Sequence, residues 1–207
     1  MTIETWLAFS AASAVLLIIP GPTILLVISY ALGRGMRAAL PVAVGVALGD
    51  FTAMTLSLLG VGALLATSAL LFTVFKWLGA AYLVWLGISL WRAGGELRVE
   101  ARQDAAPALG MLAHAWIVTA LNPKSITFFV AFLPQFLDPA LAFWNQVSIF
   151  EATFLCLAFF NAIGYGLIAS RARGLVQSQR AVGILNRVGG SLLIGAGLAA
   201  ASVRSTQ

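Results

Sequence analysis

Helix-breaking and charged residues lie together inside long apolar stretches of this 207-residue chain. Residues 20–22 read Pro-Gly-Pro within IIPGPTILLV, and residues 122–124 read Asn-Pro-Lys within LNPKSITFF. Proline removes a backbone donor and breaks a helix, and glycine tolerates unusual dihedral angles. Backbone groups freed at membrane depth persist only where protein or a polar cavity covers them. The two motifs therefore predict helix breaks that face a small polar ligand, with an ordinary proline kink as the alternative.

Two carboxylates follow these motifs at equal distances. Asp50 lies in GVALGDF, and Glu151 follows it by 101 residues. The same interval separates Pro22 from Pro123. Ionisable side chains within apolar spans mark ligand and proton pathways. Asp50 stands beside Gly49 on a small-residue face that permits close helix packing, so we predict that it points into the bundle as a coupling or ligand-binding acid. Glu151 is either a second such acid or an interfacial side chain.

Lys124 directly follows the second proline, roughly 15 Å from the end of its apolar stretch. At that depth its amine has difficulty reaching an interface. An amine and free backbone amides beside a helix break suit a carboxylate. That carboxylate belongs either to a ligand or to Asp50 or Glu151 in a structural ion pair. The two interpretations are compatible if the pair opens during transport.

The composition excludes a soluble domain. Hydrophobic residues make up 61% of the chain, charged residues make up 9%, and the mean hydropathy is +0.99, whereas about a quarter of a soluble domain is charged. A lipid bilayer must therefore cover most of the surface. One Cys and one His exclude a disulfide framework and a multi-histidine metal site. Most of the positive charge lies in short loops between apolar stretches, which argues against a nucleic-acid partner.

Six apolar stretches are each long enough to cross about 30 Å of hydrocarbon. The predicted spans are residues 5–32, 39–65, 69–92, 112–137, 144–170 and 183–203. The polar stretch 93–111 is predicted to be a surface loop. Glu4 and the absence of a basic leader indicate a retained first helix rather than a removed signal peptide. The chain is thus predicted to be one domain, residues 1–207, and an all-α membrane protein with six transmembrane helices, of which the first and fourth are broken.

Basic residues favour one side of the membrane. Nine of the 12 lysine and arginine residues follow the first, third and fifth spans, and positive loops stay in the cytoplasm. Both termini are therefore predicted to be periplasmic. Three helices per half make residues 5–92 and 112–203 two inverted repeats, an arrangement typical of secondary transporters. Chance similarity between apolar stretches is the alternative. A further match pairs glycines in the last span of each half, namely Gly79 and Gly87 with Gly189 and Gly197.

Five motifs follow one another along the chain. They are PGPTILLV, GVALGD, KWLGAAYLVWLG, LNPKSITFF and RVGGSLLIGAGL. In this order they resemble the motifs of the LysE/RhtB family of amino-acid exporters. The resemblance covers nearly the whole chain, and the combination is specific although each motif alone is weak. It implies a bacterial inner (plasma) membrane protein of six helices that exports amino acids or their derivatives, powered by the proton motive force.

The resemblance also implies a set of site residues and partners. The family's motif positions correspond here to Pro20, Gly21, Pro22, Gly49, Asp50, Asn122, Pro123 and Lys124. The implied partners are an amino-acid substrate, the lipid bilayer and protons, with a homodimer as a family-level expectation. Family members export threonine, homoserine, homoserine lactone, leucine, lysine and other cationic amino acids, and nothing in this chain selects among them.

Two other functions are alternatives from the sequence. A metal-cation exporter of a related family would have only two intramembrane acids, one Cys and one His as ligands. An intramembrane enzyme needs a nucleophile with its base, or clustered acids, and the single His and separated acids argue against it. No GxxxxGK[ST] motif for nucleotide binding occurs. We therefore predict a transporter without a cofactor rather than an enzyme or an ATP-driven pump.

Overall fold

The computed structural model describes residues 1–65, 107–138, 140–171 and 179–202, together with single positions between 74 and 92. Its helices are α1 (Ile3–Ile18), α2 (Pro22–Arg34), α3 (Met36–Leu65), α4 (Ala108–Ala120), α5 (Pro123–Ala131), a short 3-10 helix (Leu133–Phe136), α6 (Phe143–Arg171) and α7 (Gln179–Ser202). These ranges contain no strand, so the predicted all-α class is confirmed for the part of the chain that they cover.

Two of these helices are long and apolar enough to cross a membrane alone: Met36–Gly60 within α3 and Phe143–Arg171, which is α6. Two more spans result if α1 with α2, and α4 with α5 and the 3-10 helix, each count as one bent span. These four correspond to the predicted first, second, fourth and fifth spans. Most of the predicted third span, Gly79 and most of the loop 93–111 lie outside the described residues. The six-span inverted repeat therefore stays a prediction.

Both spans that carry a proline motif are broken at that motif. α1 ends at Ile18 and α2 begins at Pro22, with a bend of 54° between them. α4 ends at Ala120 and α5 begins at Pro123, with a bend of 49°. Proline suits the first position of a helix, where its missing amide hydrogen has no intrahelical partner to lose. Each motif thus ends one helix and starts the next along a new axis.

α3 lies at the centre of the described packing and makes its most extensive contacts with α4 and α6. Two of its glycines face α4. A Cβ atom added to Gly45 would overlap the carbonyl oxygen of Leu112, and one added to Gly49 would lie 2.5 Å from the Cβ of Thr119. Only glycine permits so close an approach. The predicted small-residue face is therefore a helix contact, and it brings Asp50 next to the end of α4.

Phenylalanine side chains pack α1 against α5 and α6. Phe9, Phe128 and Phe150 are each at most 1% exposed. The ring centroid of Phe9 lies 6.5 Å from that of Phe128 and 4.5 Å from that of Phe150. The hydrophobic effect does not drive helices together in lipid, so close van der Waals packing of this kind is one of the interactions that stabilise their association. The cluster holds the helix before the first break against the helix after the second.

Replacement of Gly49 by alanine is expected to destabilise the protein by about 1–3 kcal/mol, because the methyl group must push α3 and α4 apart. The measurement is thermal unfolding of the detergent-purified chain. Gly60→Ala is the matched control on the same helix, since a Cβ atom there meets nothing within 4 Å. Equal melting temperatures for the two variants would contradict the close contact between α3 and α4.

Candidate functional site

The Pro-Gly-Pro motif deprives the last carbonyl groups of α1 of their ordinary donors. In an α-helix each carbonyl accepts from the amide four residues further on. Leu16 would accept from Pro20, which has no amide hydrogen. The same holds for Ile18 and Pro22. Because Ile19 is already extended, with φ −69° and ψ 120°, the helical ladder stops here and four carbonyl oxygens need donors from elsewhere.

Lys124 supplies two of these donors. Its ammonium group donates to the carbonyl oxygens of Leu16 and Ile19, at 2.9 and 2.8 Å. The side chain passes over Gly21, where an added Cβ atom would lie 3.3 Å from Nζ. A cation in this position also meets the negative end of the α1 dipole. Lys124 thus binds backbone oxygens of the first break, rather than forming hydrogen bonds to Asp50, one of the carboxylates predicted as its partner.

Two side chains of α6 supply the other donors. Asn161 donates from Nδ2 to the carbonyl oxygen of Leu17 at 2.9 Å. Tyr165, one helical turn further, donates its hydroxyl to the carbonyl oxygen of Ile18. The i, i+4 spacing places both side chains on one face of α6. That face of α6 therefore packs along the end of α1. With the two bonds from Lys124, all four carbonyl groups are paired.

The second break is hydrogen-bonded to the first. Asn122 caps α5, because its Oδ1 atom accepts from the backbone amide of Lys124 at 3.1 Å. Its Nδ2 atom donates to the hydroxyl of Thr23, in the first turn of α2, at 3.0 Å. The hydroxyl of Thr119 also donates to Thr23, at 3.3 Å. All three polar side chains are at most 7% exposed. The beginning of α2 and the beginning of α5 thus share one buried hydrogen-bond network.

A small cavity lies between the two breaks. Its volume is about 20 Å³, roughly enough for one water molecule. Asp50 lines it and is 2% exposed, and its Oδ1 atom has no hydrogen-bond partner within the described ranges. The groups that stabilise its negative charge are the Lys124 ammonium and the Ser125 hydroxyl. The cavity therefore presents a carboxylate with an open acceptor position and an ammonium group held by backbone oxygens.

The structure collects eight of the nine residues predicted for the site in or beside this cavity. The residues that line it are Gly21, Asp50, Asn122 and Lys124. Those that form its backbone frame or pack beside it are Pro20, Pro22, Gly49 and Pro123. The frame residues set where the helices end and how closely they approach, whereas the lining residues carry the polar atoms.

Glu151 is not part of this cluster. It is partly buried on α6, and its Oε1 atom accepts a hydrogen bond from the hydroxyl of Thr55 at 2.7 Å. Thr55 lies five residues beyond Asp50 on α3, which corresponds to about 7.5 Å along the helix axis. The structure thus separates the two acids that stand at equivalent positions in the two halves.

Three hydroxyl groups of the site were not predicted from the sequence. Thr23 and Ser125 line the cavity, and Thr119 contributes to the network through Thr23. Thr23 and Ser125 each lie in the first turn of a helix that begins with proline. This position was the available signal, because first-turn polar groups lie beside the unpaired amides of the helix terminus. Thr119 had no such signal, because its role depends on the contact between the two breaks.

The fold and the site define an integral membrane protein in which two broken helices enclose a charged cavity. The chain matches the family model described as LysE type translocator over residues 14–203. This chain therefore belongs to the LysE type translocator family. The expectation drawn from the five motifs is confirmed at the level of the family.

Curated relatives match over most of their length. The chain is 34% identical over 205 residues to an uncharacterized membrane protein of Vibrio cholerae, covering 99% of this chain and 100% of the relative. It is 33% identical over 203 residues to a homoserine/homoserine lactone efflux protein of Salmonella typhimurium, covering 97% and 98%. It is 32% identical over 184 residues to a leucine efflux protein of Enterobacter sp., covering 87% of each. No solved structure matches the chain.

Replacement of Asn122 by alanine is expected to destabilise the protein by about 2 kcal/mol, because α5 loses its cap and Thr23 loses a buried donor. Thermal unfolding in detergent measures the effect. Thr127→Val is the matched control, since the Thr127 hydroxyl bonds only to the Pro123 carbonyl oxygen of its own helix. If both variants melt together with the unsubstituted chain, the link between the two breaks contributes nothing to stability.

Proposed function

We propose that this chain is a secondary active exporter that carries small amino acids or their derivatives out of the bacterial cytoplasm. Family membership supports a translocator. Relatives named as homoserine/homoserine lactone and leucine efflux proteins support this substrate class. The single observation that carries the proposal is the cavity between the breaks, which is lined by both Asp50 and Lys124 and in which the two side chains interact electrostatically.

An amino-acid zwitterion is complementary to this arrangement. Its ammonium group can satisfy the open acceptor position of Asp50, and its carboxylate can pair with Lys124. The α2 and α5 helices both begin at the cavity, at Pro22 and Pro123, and the positive ends of their dipoles favour an anion there. Opposite charges on the substrate and the site compensate the cost of removing both from water.

The substrate requires an opening of the site. A free space of about 20 Å³ holds roughly one water molecule, so an amino acid fits only if the cavity widens. We propose alternating access, in which substrate enters from the cytoplasm, binds between the breaks and leaves on the periplasmic side as the two halves rock. The hydrogen bonds between the breaks are the contacts that this movement has to rearrange.

We propose that protons drive the export. Asp50 is the buried carboxylate that accompanies the substrate site, and an acid in such a position can alternate between a bound proton and a bound ammonium group. Glu151, which accepts from Thr55 outside the cavity, has a secondary role in this coupling. The proposed arrangement remains the six-span inverted repeat in the inner membrane, with both termini in the periplasm.

No specific observation favours a metal-cation exporter. Among the residues that the structure describes, no three His, Cys, Asp or Glu side chains come together as a metal-binding group. The polar partners of Asp50 are instead an ammonium and a hydroxyl group.

Export is tested in bacterial cells that express the chain and are loaded with labelled L-homoserine or L-leucine. We expect faster efflux than from empty-vector cells for at least one of them, because the site is complementary to a zwitterion. A protonophore should abolish the difference. If the protein is present in the membrane and neither compound leaves faster, amino-acid export is wrong for these substrates. Efflux that persists with the protonophore would refute proton coupling alone.

The two carboxylates are expected to differ in importance. Asp50→Asn should reduce export by about 100-fold or more, because an amide neither holds a proton nor balances an ammonium group in a desolvated site. Glu151→Gln is the matched control on the other acid and should cost less than about tenfold, since Glu151 lies outside the cavity. Comparable losses in two variants with unchanged membrane levels would show that the site is not centred on Asp50.

A further inference from the structure

The ammonium group of Lys124 occupies a site that is built for a cation. Two carbonyl oxygens, of Leu16 and Ile19, accept from it at 2.9 and 2.8 Å. The negative end of the α1 dipole points at the same place. Asp50, whose buried Oδ1 atom has no hydrogen-bond partner within the described ranges, lines the same cavity as Leu16. Backbone oxygens, a helix terminus and a carboxylate are all acceptors, so the site selects for a donor with positive charge.

The proposed binding of a substrate carboxylate by Lys124 has a consequence for these oxygens. An ammonium group donates three hydrogens, and two of those of Lys124 are engaged by α1. When Lys124 turns toward a carboxylate, the two backbone oxygens lose their donors in a region that water scarcely reaches. An amino-acid substrate carries, besides its carboxylate, an ammonium group that can donate to the same oxygens as the ammonium group of Lys124.

We propose that the end of α1 is the binding site for the substrate's α-ammonium group, and that the Lys124 side chain occupies it in the absence of substrate. This inference rests on the proposed function and extends it to the carbonyl groups of Leu16 and Ile19. Binding is then an exchange of ammonium groups. The substrate takes the place of Lys124 beside Asp50, and the released Lys124 holds the substrate carboxylate. Amino acids are accepted, and acids that carry a hydroxyl in place of the ammonium group are not.

Asn161 and Tyr165 act in this scheme as positioning residues. Asn161 donates a hydrogen bond to the carbonyl oxygen of Leu17, and Tyr165 donates one to that of Ile18. These two oxygens lie in the chain between the two that accept from Lys124. Asn161 and Tyr165 therefore hold the end of α1 in its broken geometry while the ammonium groups exchange. Because both donors are uncharged, they stabilise the backbone without competing for the cation position.

The test uses 3-methylbutylamine, which is leucine without its carboxylate, as the probe. Its dissociation constant is measured by thermal shift of the purified full-length chain at neutral pH. We expect Lys124→Met to bind the amine at least about fivefold more tightly than the unsubstituted chain, because the competing ammonium group is gone while the carbonyl oxygens remain. Equal or weaker binding overturns the proposal. Stabilisation of Lys124→Met by sodium chloride over potassium chloride, without stabilisation by the amine, assigns the site to a metal cation and also overturns it.

Tighter amine binding by Lys124→Met has two explanations, namely binding at the carbonyl oxygens or the loss of charge repulsion from Lys124. A second substitution distinguishes them. In the Lys124→Met background, Tyr165→Phe should weaken amine binding about threefold, because one hydrogen bond that positions α1 is lost. Thr153→Val is the matched control on the same helix, since the Thr153 hydroxyl bonds to Trp6 and Ile149, away from the cavity. If Tyr165→Phe and Thr153→Val leave the affinity equally unchanged, repulsion alone explains the gain and the carbonyl site is refuted.

A transport measurement covers the case in which Lys124→Met does not fold. In proteoliposomes, Tyr165→Phe alone should raise the apparent KM for L-leucine or L-homoserine about threefold and leave the maximal rate nearly unchanged. An unchanged KM overturns the proposal.

The unsubstituted chain should transport these amino acids and not 2-hydroxy-4-methylpentanoate or 2,4-dihydroxybutanoate. Equal transport of the hydroxy acids overturns the ammonium site while leaving the export function intact. Amine binding without any amino-acid transport would refute the export function and retain the site.

Discussion

The carbonyl groups at the end of α1 have to be paired, and the rest of the described structure is arranged around that requirement. Lipid offers no donors, so an unpaired backbone oxygen at membrane depth is costly. The two prolines of the first motif remove the amides that would have served Leu16 and Ile18. Donors come instead from α5 and α6, through Lys124, Asn161 and Tyr165. The first helix of the chain is thus completed by side chains more than a hundred residues away.

The side chains that pair these carbonyl groups have two roles, because they hold the two breaks together and also line the cavity. The hydrogen bonds that hold the halves together also define the walls of the cavity, because Lys124 and Asn161 line it. A ligand that binds one of these groups necessarily alters the contact between the breaks. In the proposed transport cycle, a ligand that binds these groups more tightly in one state would shift the equilibrium toward that state. Gly45 and Gly49 contact α4 closely. A movement of one helix at the breaks therefore has little free space and must displace its neighbour.

The sequence predicted the breaks and the inward position of Asp50 because these depend on local chemistry. The first break combines two prolines with a glycine and the second combines proline with asparagine, whereas the single Pro41 lies inside α3 without ending it. A carboxylate in an apolar stretch has to face protein. The partner of Lys124 could not be predicted in the same way. The motif suggested a carboxylate, and Asp50 does interact electrostatically with Lys124. The hydrogen bonds of Lys124 go instead to backbone oxygens, which are available as acceptors only because α1 ends where α5 begins. Glu151 shows the same limit, since equal spacing in the sequence does not place it in the cavity with Asp50.

The two breaks are not equivalent, although their motifs repeat at a fixed interval. At the end of α4, the carbonyl oxygens of Ile117 and Thr119 accept from the backbone amides of Leu121 and Asn122. The end of α1 depends on side chains from the other half. Separation of the two breaks would therefore keep these two local bonds of α4 and expose the oxygens of α1. In the proposed transport cycle, an ammonium group supplied by a ligand restores their pairing, so we propose that ligand binding and the opening of the site are coupled at the first break.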